Sequence, residues 1–278
     1  EYDHLVLATG ARPALESVPG LAEAAHHFYD LEAARRLRAA LRDFQGGRIV
    51  LNVNVPHKCP VAPLEACFLL HDDLSRRGLW EKTRLTYTYP IGRVYPIEPV
   101  AAWARQRMER LGIHIETFFN TAEVRPEDKL ILSEEGVTLS YDLLITIPPH
   151  RGATVIEDSG LGRGGWVPTH PRKLLREGSD NVFVVGDTTN IPISKAGSTA
   201  HYQADTVADN LAALIQDGHW AREYDGKVFC FIETGLGEGT YIWFDYTTPP
   251  NPAPPSRLLH WSKLAYSRVY WLSARGLL

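Results

Sequence analysis

Cysteine and methionine are scarce in this chain: three cysteines (Cys59, Cys67 and Cys230) and one methionine in 278 residues. Three thiols are too few to staple a secreted scaffold, and none belongs to a CxxC pair of the kind a structural zinc site uses. No metal is therefore expected, and each cysteine needs its own explanation. Long apolar runs are also missing. No stretch approaches the roughly 18 uncharged apolar residues that cross a bilayer, and no basic segment followed by an apolar one marks a signal peptide. Charge of one sign is lacking too, with 29 basic against 33 acidic residues and a formal net charge of -4. A nucleic-acid partner is not expected on that balance. At 44% hydrophobic residues the chain is not of the disordered class, and its length suits two domains better than one core. It opens on Glu1 rather than Met, inside what reads as a strand, so residues upstream are expected.

What is present alternates between strands and helices. Tyr2 to Gly10 (YDHLVLATG) reads as a strand entering a glycine turn, followed by Ala11, Arg12 and Pro13. Leu31 to Phe44 has helical spacing, and Gly46-Gly47 stops it ahead of a strand from Arg48 to Val55. Beyond it the pattern predicts a helix over Pro63–Arg77, a strand over Thr83–Tyr89, a helix over Pro99–Leu111 and a strand over Ile113–Phe118. Glu123 to Tyr141 looks like a small antiparallel meander, with turns at Pro126-Glu127-Asp128 and Glu134-Glu135-Gly136. A strand from Tyr141 to Ile147 follows. Asn181 to Asp187 (NVFVVGD) is a buried strand closing on Gly-Asp, with a helix predicted over Ser198–Gln216. From Tyr224 the chain turns to aromatic, glycine-rich strands, then a proline-rich linker (Pro249 to Pro255), then a basic and aromatic tail, Arg257 to Leu278.

Two motifs carry more than a fold: Ala8-Thr9-Gly10 and Val185-Gly186-Asp187. Each alone is an ordinary strand-ending turn, where Gly and Asp are common for conformational reasons. As a pair, in this order and flanking an inserted βαβ domain, they resemble the flavin-dependent disulfide-reductase-like oxidoreductases. The resemblance implies an α/β fold of two Rossmann-like, three-layer dinucleotide-binding domains. Residues 1–30 and 148–223 would form the FAD domain, split by a second domain at 31–147, with an amphipathic C-terminal segment at 224–278. FAD is the implied cofactor, with Thr9, Gly10, Gly186 and Asp187 as its contacts and Asp187 on the ribitol. Lys195 would face the flavin pyrimidine edge, where a cation stabilises the anionic reduced form; a solvated loop lysine is the alternative. The family's GxGxxG fingerprint is absent, which predicts that roughly a hundred residues of a βαβ segment lie upstream.

The inserted domain narrows the resemblance. After the strand RIVLNVNV a nicotinamide site would need a second glycine loop, but the sequence reads Pro56-His57-Lys58-Cys59-Pro60-Val61-Ala62-Pro63. Prolines remove backbone donors and a thiol replaces a glycine, so the nicotinamide site is expected to be abolished. This loop and the later KVFCFIETG around Cys230 are similar to the sulfide:quinone oxidoreductases. The resemblance implies sulfide oxidation at Cys59 and Cys230, Cys59 carrying the sulfur and Cys230 lying nearer the flavin, with electrons passing to a membrane quinone. Lys58 and the following helix start are expected to lower the Cys59 pKa. Glu65 matches a family glutamate that assists proton movement, or is simply a favourable charge at a helix N-terminus. Cys67, in an apolar helical run, is expected to be a small buried hydrophobe. Pro99 stands about where a family histidine falls, leaving His57 and His201 as candidates by proximity alone.

In the tail, Arg257, Arg268 and Arg275 fall nearly on one helical line among Trp261, Tyr266, Tyr270 and Trp271, which suits a lipid headgroup surface; a dimer or capping helix is the alternative. A peripheral membrane protein is therefore expected, with the membrane face, sulfur product, quinone species and any homo-oligomer left open. Three other readings stay in play: a type II NADH:quinone reductase, a flavocytochrome-like sulfide dehydrogenase with a haem partner, and a non-catalytic flavin-fold relic that binds a partner protein.

Overall fold

The computed structural model describes residues 2–275 and 277, so Glu1 of the expected first strand and Gly276 and Leu278 of the expected tail lie outside them. The first strand is shorter than its apolar run: β1 is Leu5–Leu7, followed by β2 at Ala11–Pro13 and a single helical turn, α1, at Leu21–Ala24. Helix α2 (Leu31–Asp43) starts at Asp30, whose Oδ1 accepts from the Ala33 N–H at 2.7 Å, and it buries Ala33 and Leu37 while its arginines face water.

The inserted segment then unfolds in the expected order. Strand β3 (Gly47–Val53) leads to α3 (Ala62–Arg76), β4 (Thr83–Tyr89), α4 (Glu98–Arg110) and β5 (His114–Thr117). The meander is β6 (Thr121–Arg125), β7 (Leu130–Ser133) and β8 (Thr138–Ser140), and β9 (Leu143–Ile147) returns to the main sheet. That sheet has the order β5-β4-β3-β9, every pair parallel. Its strand β3 is covered on both faces, which is why Ile49, Val50, Leu51 and Val53 are all buried instead of alternating with exposed residues. Ile49, Leu51 and Val53 pack toward Leu64, Phe68, Leu74 and Met108 of the helices, while Val50 packs with Phe119, Val124 and Ile131 of the meander side. Each large side chain fully buried here contributes about 1.5–3 kcal/mol.

After β10 (His150–Gly152), which pairs with β2, and the short α5 (Thr154–Asp158), the chain reaches β11 (Val182–Val184). β11 pairs in parallel with β1, Leu5 opposite Val182 and Leu7 opposite Val184, so segments far apart in the sequence share one ladder. Helix α6 (Gly197–Asp217) follows, then the hairpin β12 (Val228–Gly235) and β13 (Glu238–Phe244), and finally α7 (Arg257–Ser273). The inner face of the hairpin, Val228, Cys230, Ile232, Ile242 and Phe244, joins the same core as α3 and α4. This brings the late hairpin against the early helix α3. No helix among the described residues is long and apolar enough to cross a membrane.

Candidate active site

The two glycine turns sit side by side at the ends of β1 and β11. Gly10 and Gly186 have φ of +70° and +68°, a left-handed backbone that a β-carbon disfavours. Nothing lies within 4 Å of where a Gly10 β-carbon would be, whereas a β-carbon at Gly186 would come within 3.1 Å of Ala200 Cβ on α6. The Gly10 N–H donates to Thr188 Oγ1 at 2.8 Å, Thr9 Oγ1 lies 3.4 Å from the same hydroxyl, and the Gly186 N–H donates to Gln203 Oε1 at 2.6 Å. Burial raises the Asp187 carboxyl above its usual range, against the pull of Lys58 and Lys195. Lys195 Nζ donates to the Asp187 and Thr189 carbonyls at 3.2 and 2.6 Å and lies 4.4 Å from the centre of the Trp166 ring. Burial pushes its ammonium down to about 8. Helix α6 begins here with no side-chain cap, and Ser194 Oγ, Thr199 Oγ1 and Gln203 Nε2 are buried without partners. Thr9, Gly10, Gly186, Asp187 and Lys195 are thus gathered at one place.

A second cluster adjoins it. Cys59 adopts φ +56° although it carries a side chain, a conformation costing about 1–2 kcal/mol. It is held there because its N–H donates to the Lys195 carbonyl at 2.7 Å and its own carbonyl accepts from Ala62 at 3.0 Å. The loop after β3 is in this way pinned to the loop after β11. Cys230 projects from the middle of β12, and the two thiols line one cavity of about 420 Å³ together with Glu65, Lys263, Phe231 and Tyr266.

The expected lowering of the Cys59 pKa is overturned. Burial first, and then the Glu65 carboxylate, push the thiol up to about 11; the Ala62 N–H and Lys263 pull the other way but do not prevail. Lys58, adjacent in sequence, sends its ammonium to the Ala11 carbonyl at 3.4 Å. Cys230 is pushed up to about 12 by burial and by Cys59, with the Ser198 hydroxyl opposing. Cys67 is fully buried in the helix core and does not line the cavity.

Glu65 reaches outward from the first turn of α3. Its Oε1 accepts from the Glu233 N–H at 2.7 Å and from the Lys263 ammonium of α7; burial raises its pKa and Lys263 opposes. Lys263 and Glu233 escaped the sequence reading, since nothing in the tail's basic and aromatic pattern singles out the residue that turns inward. His57 Nδ1 donates to the Lys58 carbonyl at 3.2 Å, and His201 sits 3.7 Å from Asp205 on α6; neither ring lines the cysteine cavity.

A larger, more polar cleft of about 600 Å³ opens at the carboxyl ends of β3 and β9, lined by Asn54, Pro56, Asn120, His150, Arg151 and Trp166. No cysteine borders it, so volume alone does not locate the reactive groups.

Two glycine turns on a shared parallel ladder, interrupted by a four-stranded parallel sheet, define an α/β protein of the two-dinucleotide-fold type. No protein-family model matches the chain. It is 25% identical over 262 residues to the mitochondrial sulfide:quinone oxidoreductase of Mus musculus, covering 90% of this chain and 58% of that protein. It is 25% identical over 242 residues to an external alternative NAD(P)H-ubiquinone oxidoreductase, B1, of Arabidopsis thaliana, covering 78% of this chain and 42% of that one. The solved sulfide:quinone oxidoreductase of Aquifex aeolicus superposes with a TM-score of 0.84 at 20% identity, over 99% of this chain and 70% of its own. The chain is a relative of the sulfide:quinone oxidoreductases. It spans a little under three-fifths of the mouse protein's length.

Proposed function

We propose that the chain carries the sulfur-handling half of an FAD-dependent enzyme that oxidises sulfide and passes the electrons to a quinone. The observation carrying this reading is the single cavity that receives Cys59 from the β3 loop and Cys230 from β12, with Glu65 between the first turn of α3 and α7. The residues around Gly10 and Gly186 fit a flavin dinucleotide. Open space at Gly10 admits a close backbone approach, and Asp187, Lys195 and the uncapped α6 N-terminus supply an acceptor, a cation and free N–H groups. Bound there, FAD would supply a two-electron acceptor beside the thiols.

Both thiols rest in their protonated form at neutral pH, since burial holds each well above its ordinary value. A base is therefore needed before either can act as a nucleophile. Glu65 is placed for it: burial raises its pKa, which makes its carboxylate a stronger base, with Lys263 opposing. The S–S bond of a Cys59 persulfide would form as the Cys59 thiolate and HS⁻ give up two electrons and one proton to bound FAD, with Cys230 as the thiol nearer the flavin. The exposed face of α7, with Leu258, Trp261 and Trp271 largely in water beside Arg257 and Arg268, is suited to a lipid headgroup surface, from which a quinone is reached.

The test is anaerobic rapid mixing of the full-length, flavin-loaded protein with sulfide or with NADH. Rapid bleaching of the flavin by sulfide and slow bleaching by NADH is the expected result. The 600 Å³ polar cleft at the strand ends lies where a nicotinamide would bind in such folds, and faster bleaching by NADH would install that reading instead. Vesicle sedimentation with and without residues 255–278 tests the membrane reading; a truncated protein that still sediments removes it.

A further inference from the structure

Besides the cysteine cavity, two further cavities meet at the tip of the β12–β13 hairpin, where Leu236 lines both. The first, of about 400 Å³, is polar. Arg76 of α3, Arg107 of α4 and Arg257, the first residue of α7, face it together with Asp72 and Glu238. Both carboxylates are already engaged. Asp72 Oδ2 accepts from the Leu236 N–H at 2.6 Å and from Arg76 at 3.3 Å, and Glu238 Oε2 accepts from Arg107 at 3.1 Å and from the Thr234 hydroxyl at 3.0 Å. Two of the three positive charges are balanced in this way. Arg257 is exposed and has no ion-pair partner among the described residues, and the buried Arg107 Nε–H has no hydrogen-bond partner. The pocket is left with one net positive charge and spare donors, which an anion completes. Guanidinium groups bind phosphate oxygens through paired N–H donors in one plane.

The second cavity, of about 390 Å³, lies between α2 and α3 and is walled by Phe28, Leu37, Leu41, Ala66, Leu69 and Ile145. Its two carboxylates, Glu65 and Asp73, are bonded to Lys263 and Arg77. A basic cavity joined to an apolar one across a single side chain matches an amphiphile, with a phosphate in the first and a hydrocarbon chain in the second. Helix α7 decides which amphiphile. At 100° per residue, Trp261, Leu264, Arg268 and Trp271 fall within about 40° of Arg257, and the three apolar members of that stripe are 62%, 39% and 66% exposed. Exposed indole rings with arginines between them suit the headgroup layer of a bilayer. A helix lying on a membrane by this stripe carries the arginine pocket to the depth of the lipid phosphates.

We propose that the chain binds one anionic phospholipid, its phosphate among Arg257, Arg76 and Arg107 and an acyl chain in the trough between α2 and α3. The site presupposes that α7 docks at a membrane, as proposed above, and goes beyond it. Docking needs only an amphipathic surface, whereas here the protein holds an individual lipid by its head and one chain.

The test mixes the full-length flavin-loaded protein with vesicles of phosphatidylcholine and phosphatidylglycerol, part of the latter carrying a photoreactive diazirine on one acyl chain. After illumination, the vesicle-bound protein is sedimented and digested, and its labelled peptides are read by mass spectrometry. Label is expected in α2 and α3, which wall the trough, as well as in α7. Arg257→Gln, at an exposed position where the fold tolerates change, should cut the α2 and α3 label by about tenfold or more at equal amounts of bound protein, through loss of a charge-assisted bond to phosphate. Arg268→Gln removes the same charge from the same helix outside the pocket. It should lower vesicle affinity by about fivefold and leave the label pattern alone. Label confined to α7, or α2 and α3 label that Arg257→Gln does not reduce, overturns the lipid site while α7 remains a docking helix; the trough then belongs to upstream residues or a second copy. Loss of the α2 and α3 label on adding inorganic phosphate at matched ionic strength assigns the arginine pocket to a free anion and overturns the lipid too. Protein that sediments with no vesicle removes the docking of α7 and the site with it.

Discussion

Two kinds of strand-ending turn in this molecule share a left-handed backbone and use it in opposite ways. At Gly10, φ is +70° and the space a side chain would occupy is empty. At Cys59, φ is +56° and the space is filled by a thiol aimed into a cavity. A strand followed by a tight turn is a platform in both cases. Omitting the β-carbon leaves bare backbone for a ligand to approach, while retaining it against the conformational preference holds a reactive atom where the loop alone would not put it. The second arrangement is held by the bond from the Cys59 N–H to the Lys195 carbonyl, on the loop after β11, and by the Ala62 N–H on the Cys59 carbonyl. The reactive turn thus borrows its geometry from the ligand-cradling one.

The largest effects should separate the two turns completely. In the full-length protein, Cys59→Ser or Cys230→Ser should lower sulfide-dependent flavin reduction by more than about a hundredfold, with the flavin still bound. Gly10→Val should do the reverse, releasing flavin while both thiols remain open to alkylation. Cys67→Ala, fully buried and remote from the cavity, should leave turnover intact and cost about 1 kcal/mol in denaturant melts. Near-normal turnover in Cys230→Ser would dissolve the contrast, because the cavity would then need only one thiol.

A smaller effect concerns what sets the acidity at the reactive turn. Glu65 raises the Cys59 pKa and Lys263 lowers it. Removing the negative charge in Glu65→Gln therefore lowers that pKa, and below about pH 11, where the thiol is mostly protonated, the thiolate fraction rises. Iodoacetamide labelling of Cys59, followed by mass spectrometry at fixed mildly alkaline pH, should speed up by about threefold to tenfold, since one pKa unit is tenfold in thiolate. Lys263→Met should slow it by a similar factor. Slower labelling in Glu65→Gln would mean that Glu65 takes the proton from Cys59 directly during the measurement and that electrostatics is the lesser influence.

The same contrast explains what could be read in advance. Strand Thr83–Tyr89 and the helices over Leu31–Phe44 and Pro63–Arg77 were legible because a strong period is punctuated by Gly or Pro. The first strand was overdrawn at Tyr2–Gly10 because an apolar run does not reveal where its ladder partner ends; only Leu5–Leu7 faces β11. Gly10, Gly186, Cys59 and Cys230 were visible as motifs. The acidity of Cys59 was misjudged from its neighbour Lys58, since adjacency in sequence says nothing about direction and that ammonium points to Ala11. Lys263 and Glu233 could not be assigned. The partner of Lys263 lies 198 residues away, and a tail that looks amphipathic gives no sign of which basic residue turns inward.

The smallest effect is the most direct measure of the strain on which the comparison turns. For a residue with a β-carbon at φ +56°, the left-handed backbone costs about 1–2 kcal/mol. Glycine escapes that strain but gives up about 0.5–1 kcal/mol through the greater freedom of its unfolded chain. Cys59→Gly should therefore be more stable than Cys59→Ala by about 0.5–1 kcal/mol, reversing the order found at ordinary positions. At Gly10 a β-carbon meets no atom within 4 Å, so Gly10→Ala isolates the backbone contribution and should destabilise by a similar amount. Urea melts of the four proteins decide the matter. Alanine as stable as glycine at position 59 would mean that the loop relaxes once the thiol is gone, so that the left-handed turn is maintained by Cys59's own contacts in the cavity and not imposed by the bond to Lys195.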